Sequence, residues 1–348
     1  LSDWHGDSIS SIKSDGFDIA DCIDSLITTN RNTQRVKGVG MLTIGLSQTL
    51  EREQPDMLLV IGDREESIAT ALVGNYMNIL VVHFGGGDPV FGNSDDPIRF
   101  AVSKLSHIHL TSAQKYTKNL IKIGEENFRI FNVGNPSFDN IKNEPVISLN
   151  EISDQLDFDI NDGDFIIFLK HPLSSEKEST LKQMQISLEA LDIFNHKTKF
   201  KIVGIYPNTD PGSYDILNAI KEIEGKKHIK FFKNLPRGIF INLMRKAKAL
   251  VGNSSMGLLE APFYKLPVVN IGNRQKGRLN AGNVKFVDYD KKDISKTIFD
   301  ACFDKEYREM VRELKNPFGD GNTAIKVLKI LKGIDMSDKR WLTKKHIF

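Results

Sequence analysis

Lys248-Ala249-Leu250-Val251-Gly252-Asn253-Ser254-Ser255-Met256-Gly257-Leu258-Leu259-Glu260-Ala261-Pro262 is the stretch that decides the fold. A short apolar run ends abruptly in small, hydrogen-bonding residues, and an apolar helix starts directly afterwards. Ser254 and Ser255 are residues that cap such a helix, leaving its first N–H groups and positive dipole end facing outward. A diphosphate is the natural occupant of that position. Glu260 lies further into the same helix, at about the reach of a ribose hydroxyl. An ordinary capped strand–turn–helix is the plain alternative on these residues alone.

The chain continues with Pro267-Val268-Val269-Asn270-Ile271-Gly272-Asn273-Arg274-Gln275-Lys276-Gly277-Arg278. This reads as a second buried strand running into a glycine-containing loop with two arginines. Arginine is suited to bidentate contact with phosphate oxygens. Two successive strand ends therefore present anion-binding groups on the carboxyl edge of one sheet, where open α/β sheets bind ligands. A merely solvated basic loop is the competing reading.

These two motifs closely resemble the hydrolysing UDP-N-acetylglucosamine 2-epimerases, which make N-acetylmannosamine or a close relative for sialic-acid-like sugars. The resemblance covers nearly the whole chain, in order through Gly62-Asp63-Arg64-Glu65-Glu66, His83-Phe84-Gly85-Gly86-Gly87-Asp88, Asp95-Asp96-Pro97-Ile98-Arg99, Lys170-His171-Pro172, Tyr206-Pro207-Asn208-Thr209-Asp210-Pro211-Gly212 and Asn316-Pro317-Phe318-Gly319-Asp320-Gly321. Each motif is weak alone; their number and order make the match.

Composition agrees with a globular enzyme. The chain has 348 residues, more than one core usually serves, so two domains are expected. A formal charge of +2 without a basic cluster gives no case for nucleic acid or a membrane surface as partner. Cys22 and Cys302 lack metal or redox spacing, which suits a reducing cytoplasm. No apolar run is long enough to span a bilayer. The opening Leu1-Ser2-Asp3-Trp4 lacks a first strand, and in the family it resembles a segment following the first strand and its Gly-Thr-Arg loop. The expectation is that this first βα unit is missing from the sequence.

Strands are predicted at 57–62, 79–83, 107–111 and 128–133, alternating with helices at 67–77, 98–105 and 113–123. This order implies a parallel sheet with right-handed crossovers. The polar, acidic segment 142–164 suits a domain junction. The same grammar then repeats, with strands at 165–169, 200–205, 228–232, 249–251 and 268–271. The predicted fold is α/β, two doubly wound Rossmann-like domains facing a cleft: residues 1–150, and residues 151–348 with the UDP site. The resemblance implies the same GT-B-like architecture, with a last helix at about 323–331 crossing back to the first domain.

The acid–base candidates lie at strand ends. Asp63 follows the strand at 57–61 and is a candidate base, with Arg64 either holding a phosphate or tuning the aspartate. The resemblance makes Asp63 catalytic and Arg64 substrate-binding. In the glycine triplet, Asp88 stands where the family more often has Glu, and Gly85 where it often has His or Glu. His83 has either a direct or a supporting role. Asp95 and Asp96 open the helix that carries Arg99; one is expected to cap it and the resemblance places one near the sugar. Lys104 on that helix reads as a surface residue. His171, held out of helix by Pro172, is positioned to move a proton or bond the leaving phosphate, with Glu176 near the same region.

The reaction implied by the resemblance needs no redox cofactor and no metal. UDP seats on the second domain around Asn253, Ser254, Ser255, Gly257, Glu260, Arg274, Gln275 and Arg278, with Arg64 from the first. A carboxylate among Asp63, Asp88, Asp95 and Asp96 removes the C2 proton as UDP leaves C1. Water then adds to the glycal-like intermediate. The rivals are a non-hydrolysing epimerase, a retaining glycosyltransferase on the same fold, and a catalytically silent UDP-sugar-binding protein. A homodimer or homotetramer is expected by resemblance only; the default substrate is UDP-N-acetylglucosamine, with a UDP-linked 2,4-diacetamido sugar as the alternative.

Overall fold

The structure is a computed structural model, described here for residues 8–27, 32–89, 95–208 and 212–345. The opening Leu1–Trp4 and the turn residues Thr209, Asp210 and Pro211 fall outside the described residues. Compactness divides the chain into two units. The first holds Leu1–Pro89, Ser94–Val133 and Lys326–Phe348, and the second holds Val90–Asn93 and Gly134–Ile325.

The first unit contains α1 (Ser8–Ser14), α2 (Asn32–Glu53), β1 (Met57–Ile61), α3 (Glu65–Tyr76), β2 (Leu80–Phe84), α4 (Asp95–Leu105), β3 (Ile108–Thr111), α5 (Gln114–Lys122) and β4 (Ile130–Asn132). Its strands pair in the order β1-β2-β3-β4, all parallel. Leu80–Phe84 and Ile108–Thr111 are buried throughout, as parallel strands covered on both faces must be. Val60, Ala71, Val81 and Val102 pack one face. Leu80, Val82, Phe84, Ile108 and Leu110 pack the other, against Ile330, Leu331, Ile334 and Trp341 from the end of the chain.

The second unit contains α6 (Ser137–Asn143), α7 (Leu149–Leu156), β5 (Phe165–Leu169), α8 (Thr180–Thr198), β6 (Lys201–Ile205), α9 (Ser213–Glu222), β7 (Ile229–Phe232), α10 (Arg237–Lys246), β8 (Leu250–Gly252), α11 (Met256–Leu259), β9 (Val268–Ile271), β10 (Val284–Val287), α12 (Lys291–Phe303) and α13 (Lys305–Glu313). The parallel order is β10-β9-β8-β5-β6-β7. The apolar alternation along β5 splits its side chains between two cores. Ile166 and Phe168 join α8 and α12, while Phe165, Ile167 and Leu169 join α7 and α10. The last helix, α14 (Thr323–Lys332), begins on the second unit, where Asp139 accepts from the Thr323 and Ala324 N–H groups.

Three differences from the sequence reading have physical causes. The break between compact units falls at Val133–Gly134 rather than near residue 150. The segment read as a junction holds α7, whose Ile152 and Leu156 are buried in the second unit with Ile160. The helix after Ser255 lasts only four residues, Met256–Leu259, and passes into a 3-10 turn at Ala261–Tyr264. Pro262 has no N–H to continue the ladder.

Candidate functional site

In the first unit, the carboxyl ends of β1 and β2 converge. Gly62 takes a left-handed φ of 82° and its N–H bonds the Phe84 carbonyl at 2.9 Å, turning the chain off the sheet. Asp63 then sits with its carboxylate ion-paired to Arg99 of α4. Both side chains are mostly buried, and the other arm of the guanidinium donates to the Gly85 carbonyl at 2.8 Å. Arg99, quoted in the sequence only as part of a motif, is therefore the arginine that holds Asp63; Arg64 next to it is exposed. The apolar spacing of α4 carries the signal in hindsight, since it turns Arg99 inward with Val102 and Ser103.

His83 is fully buried, and burial pulls its imidazole down to about pKa 3. The ring is neutral. Its Nε2 lies 2.9 Å from the Gly62 carbonyl, which only accepts, so Nε2 carries the proton. Nδ1 then accepts from the Ser103 hydroxyl at 3.1 Å. The structure places His83 behind the Asp63 turn, with its ring spent on Gly62 and Ser103. Asp88 is buried beyond the glycine triplet. A Cβ at Gly86 would lie 2.8 Å from Ser103 Oγ, so the second glycine leaves room for the His83–Ser103 contact. Asp95 and Asp96 open α4 as expected, and Asp96 is half-buried. Lys104, read as a surface residue, is half-exposed and its ammonium lies 3.0 Å from the buried Glu125 carboxylate.

In the second unit, His171, Asn253, Arg274, Gln275 and Arg278 form one hydrogen-bonded network. The Asn253 amide is paired with the His171 backbone, accepting from its N–H at 2.7 Å and donating to its carbonyl at 2.8 Å. The Asn253 carbonyl accepts from Gln275 at 3.0 Å and Arg274 at 3.3 Å. Arg278 in turn donates to the Gln275 side chain at 2.9 Å. The His171 ring accepts at Nδ1 from the Asn208 N–H at 3.0 Å. A neutral ring so held carries its proton on Nε2 and presents a donor there.

The serines behave differently from the capping expectation. Ser255 makes no side-chain cap, and Ser254 Oγ accepts from the Met256 N–H at a long 3.4 Å. Gly257 is a packing position: a Cβ there would lie 2.8 Å from Val268 on β9. Glu260 is largely buried and bonded to Arg237 at 3.2 Å, with burial raising its carboxyl above the usual range. Glu176 accepts from Asn273 at 3.1 Å and from Gln183 at 2.7 Å. Lys170, quoted only within the Lys-His-Pro motif, is buried with its ammonium 3.2 Å from the Tyr289 hydroxyl. Burial lowers that ammonium to about 8. Among the described residues no cluster of metal-ligating side chains occurs, and no helix is long and apolar enough to cross a membrane.

A family model of the UDP-N-acetylglucosamine 2-epimerases matches residues 3–332. The chain is 31% identical over 336 residues to a hydrolysing UDP-N,N'-diacetylbacillosamine 2-epimerase of Legionella pneumophila, spanning 95% of this chain and 85% of the relative. It is 33% identical over 257 residues to a UDP-N-acetylglucosamine 2-epimerase of Neisseria meningitidis, spanning 74% and 66%. Among solved structures, the Neisseria meningitidis UDP-GlcNAc 2-epimerase bound to UDP-GlcNAc superposes with a TM-score of 0.75 at 21% identity, over 88% of this chain and 84% of that one. That likeness carries the GT-B-like fold of two Rossmann-type α/β units. With the family's motifs falling on the strand ends just described, the chain belongs to the UDP-N-acetylglucosamine 2-epimerase family.

Proposed function

We propose that this protein is a hydrolysing 2-epimerase of a UDP-linked 2-acetamido sugar, releasing UDP and the free manno-configured sugar. The observation that carries this reading is the match of residues 3–332 to the epimerase family, which takes in both the Asp63–Arg99 pair and the His171 network.

The chemistry begins at C2. Asp63, oriented by Arg99, removes the C2 proton while the C1–O bond breaks and its electron pair leaves with UDP. A 2-acetamidoglucal remains. A protonated carboxyl among Asp88, Asp95 and Asp96 gives its proton to C2 on the opposite face while water adds its hydroxyl at C1, and the proton released by the water restores that carboxyl. A C2–H with no adjacent carbonyl is weakly acidic, so stabilising the departing diphosphate supplies much of the barrier lowering. Arg274 and Arg278 provide positive charge for this, and Nε2–H of His171 donates to a diphosphate oxygen. Asn253, spent on the His171 backbone, acts by setting that imidazole's position. Arg64, Ser254, Ser255, Gly257, Glu260 and Gln275 complete the proposed UDP surroundings.

The sugar is favoured to be a 2,4-diacetamido-trideoxyhexose over N-acetylglucosamine. The Legionella relative is matched over 95% of this chain and the Neisseria one over 74%. A homo-oligomer in the cytoplasm is the proposed setting; the free cysteines Cys22 and Cys302 suit a reducing compartment.

Proton NMR of turnover in deuterated water, with each UDP-sugar in turn, tests the reading. The expected products are UDP and a free manno-configured sugar carrying deuterium at C2, faster from the diacetamido substrate. A UDP-linked epimer makes the protein a non-hydrolysing epimerase. Acceptor-dependent transfer makes it a glycosyltransferase. UDP binding without turnover of either sugar makes it a binding protein.

A further inference from the structure

We propose that Lys344 is a positioning residue for Asp63, acting through Ser103 and His83 in the first unit. The inference rests on the assignment of Asp63 as the base.

The argument starts at the end of α4. The last carbonyls of a helix have no partner within it, and a cation there bonds them and complements the dipole. Lys344 does this from far along the chain. Its ammonium donates to the carbonyls of Ser103 at 3.2 Å, Lys104 at 2.9 Å and Ser106 at 2.7 Å, and pairs with the buried Glu125 carboxylate at 2.7 Å. The path of the chain into Lys344 is fixed by Arg129, whose fully buried guanidinium donates to the carbonyls of Arg340, Trp341 and Thr343.

From Ser103 the contacts run back to the catalytic turn. The Ser103 backbone is held by Lys344, and its hydroxyl donates to His83 Nδ1 at 3.1 Å. The same hydroxyl lies 3.0 Å from the Arg99 carbonyl, the acceptor it would take if His83 carried its proton on Nδ1. His83 Nε2–H then donates to the Gly62 carbonyl at 2.9 Å, in the peptide that joins Gly62 to Asp63. Every link is a hydrogen bond between groups that are buried or nearly so, where an unmade bond is costly and the geometry is therefore held. A displacement of this turn moves the carboxylate against the C2 hydrogen, and misplacements of about 1 Å cost up to ~100-fold in rate.

The test is a double-variant cycle on the full chain, following kcat, KM and UDP affinity. Lys344→Met and Ser103→Ala are each expected to lower kcat about tenfold with KM and UDP affinity unchanged. The double variant is expected to be no slower than Ser103→Ala, and Lys344→Arg to recover most of the rate. A double variant showing the product of the two losses overturns the relay, as does a Lys344→Met protein with a lower Tm and native kcat. If Lys344→Met fails to fold, Ser103→Ala with native kcat overturns it alone. Asp63→Asn separates the two levels. Retained turnover there defeats the assignment of Asp63 itself, whereas an inactive Asp63→Asn beside an additive cycle defeats only the relay.

Discussion

Asp63 is the residue whose environment says most about the site. It lies at the end of β1 and its carboxylate is turned to Arg99, which also holds the Gly85 carbonyl. Arg99→Met is expected to lower kcat by about 100-fold or more, since it frees the carboxylate and the first glycine of the triplet together. UDP affinity should be nearly native in an equilibrium titration, because all the proposed UDP ligands except Arg64 lie on the other unit. Lys170 is a second residue with a measurable signature. Its ammonium is charged and buried at neutral pH and titrates at about 8, below the 10.5 of an exposed lysine. The unfolded chain therefore binds more protons between those values, and the native protein gains stability as pH rises through that window. Lys170→Met should be more stable than the native protein at pH 7, by up to about 3 kcal/mol, and the advantage should shrink toward pH 10 in urea unfolding. Asp63 was legible as a strand-end carboxylate, Arg99 only through the spacing of α4, and the burial of Lys170 not at all. A buried lysine after an apolar strand looks like any strand-end cation until Tyr289 is placed over it.

At the scale of elements, β2 carries His83, β3 carries His109 and the residue before β3 is His107, all buried. Burial pulls His83 to about 3 and His107 to about 4, and lowers His109 as well. His83 and His107 stay neutral in the folded protein well below 6.5 but take a proton near 6.5 when unfolded, and His109 is shifted in the same direction. Their contribution is thus full above about pH 6.5 and is lost as pH falls below it, at up to ~1.4 kcal/mol per pH unit for each histidine. Amide exchange should show β2 and β3 losing protection between pH 7 and pH 5 well before β5 and β8. The strands themselves were plain in the sequence except the edge strand β10 at Val284–Val287, where the sequence reading placed none. The bounds of β1 and β5 follow directly from uninterrupted apolar runs, and β9 differs only by Asn270. The element that misled was α11, where apolar spacing past Ser255 suggested a longer helix than Pro262 permits. Gly252 shows the reverse case, a local constraint invisible until the strands pair. Its φ is 137° and a Cβ would run into the Leu169 carbonyl on β5. Gly252→Ala should cost more than about 3 kcal/mol, or abolish folding, by thermal unfolding.

For the molecule as a whole, the order of motifs along the chain revealed the family, and the apolar grammar revealed two parallel sheets. The long-range closures escaped both. Nothing near Arg129 or Glu125 announces that their partners stand at Arg340–Lys344, and no periodicity joins residues so distant. The boundary between units escaped for a related reason. A polar stretch marks solvent exposure, whereas a compact unit is defined by what packs, and α7 packs with the second unit. Replacing Arg129 with methionine should strip the segment 340–343 of its anchors. The expected outcome is a lower first transition in calorimetry, with UDP affinity nearly native.

The same closure sets an order of events when the chain is made. Arg129 and Glu125 are synthesised before the second unit, and their partners at Arg340–Lys344 after it. The second unit, apart from the short Val90–Asn93 segment, lies within Gly134–Ile325 and is fully synthesised before them. Domains usually form in the order of synthesis. Here the first unit waits with a buried-to-be arginine and glutamate still solvated, while the later-made unit can finish its core. The nascent chain should therefore gain protease resistance in its middle before its beginning.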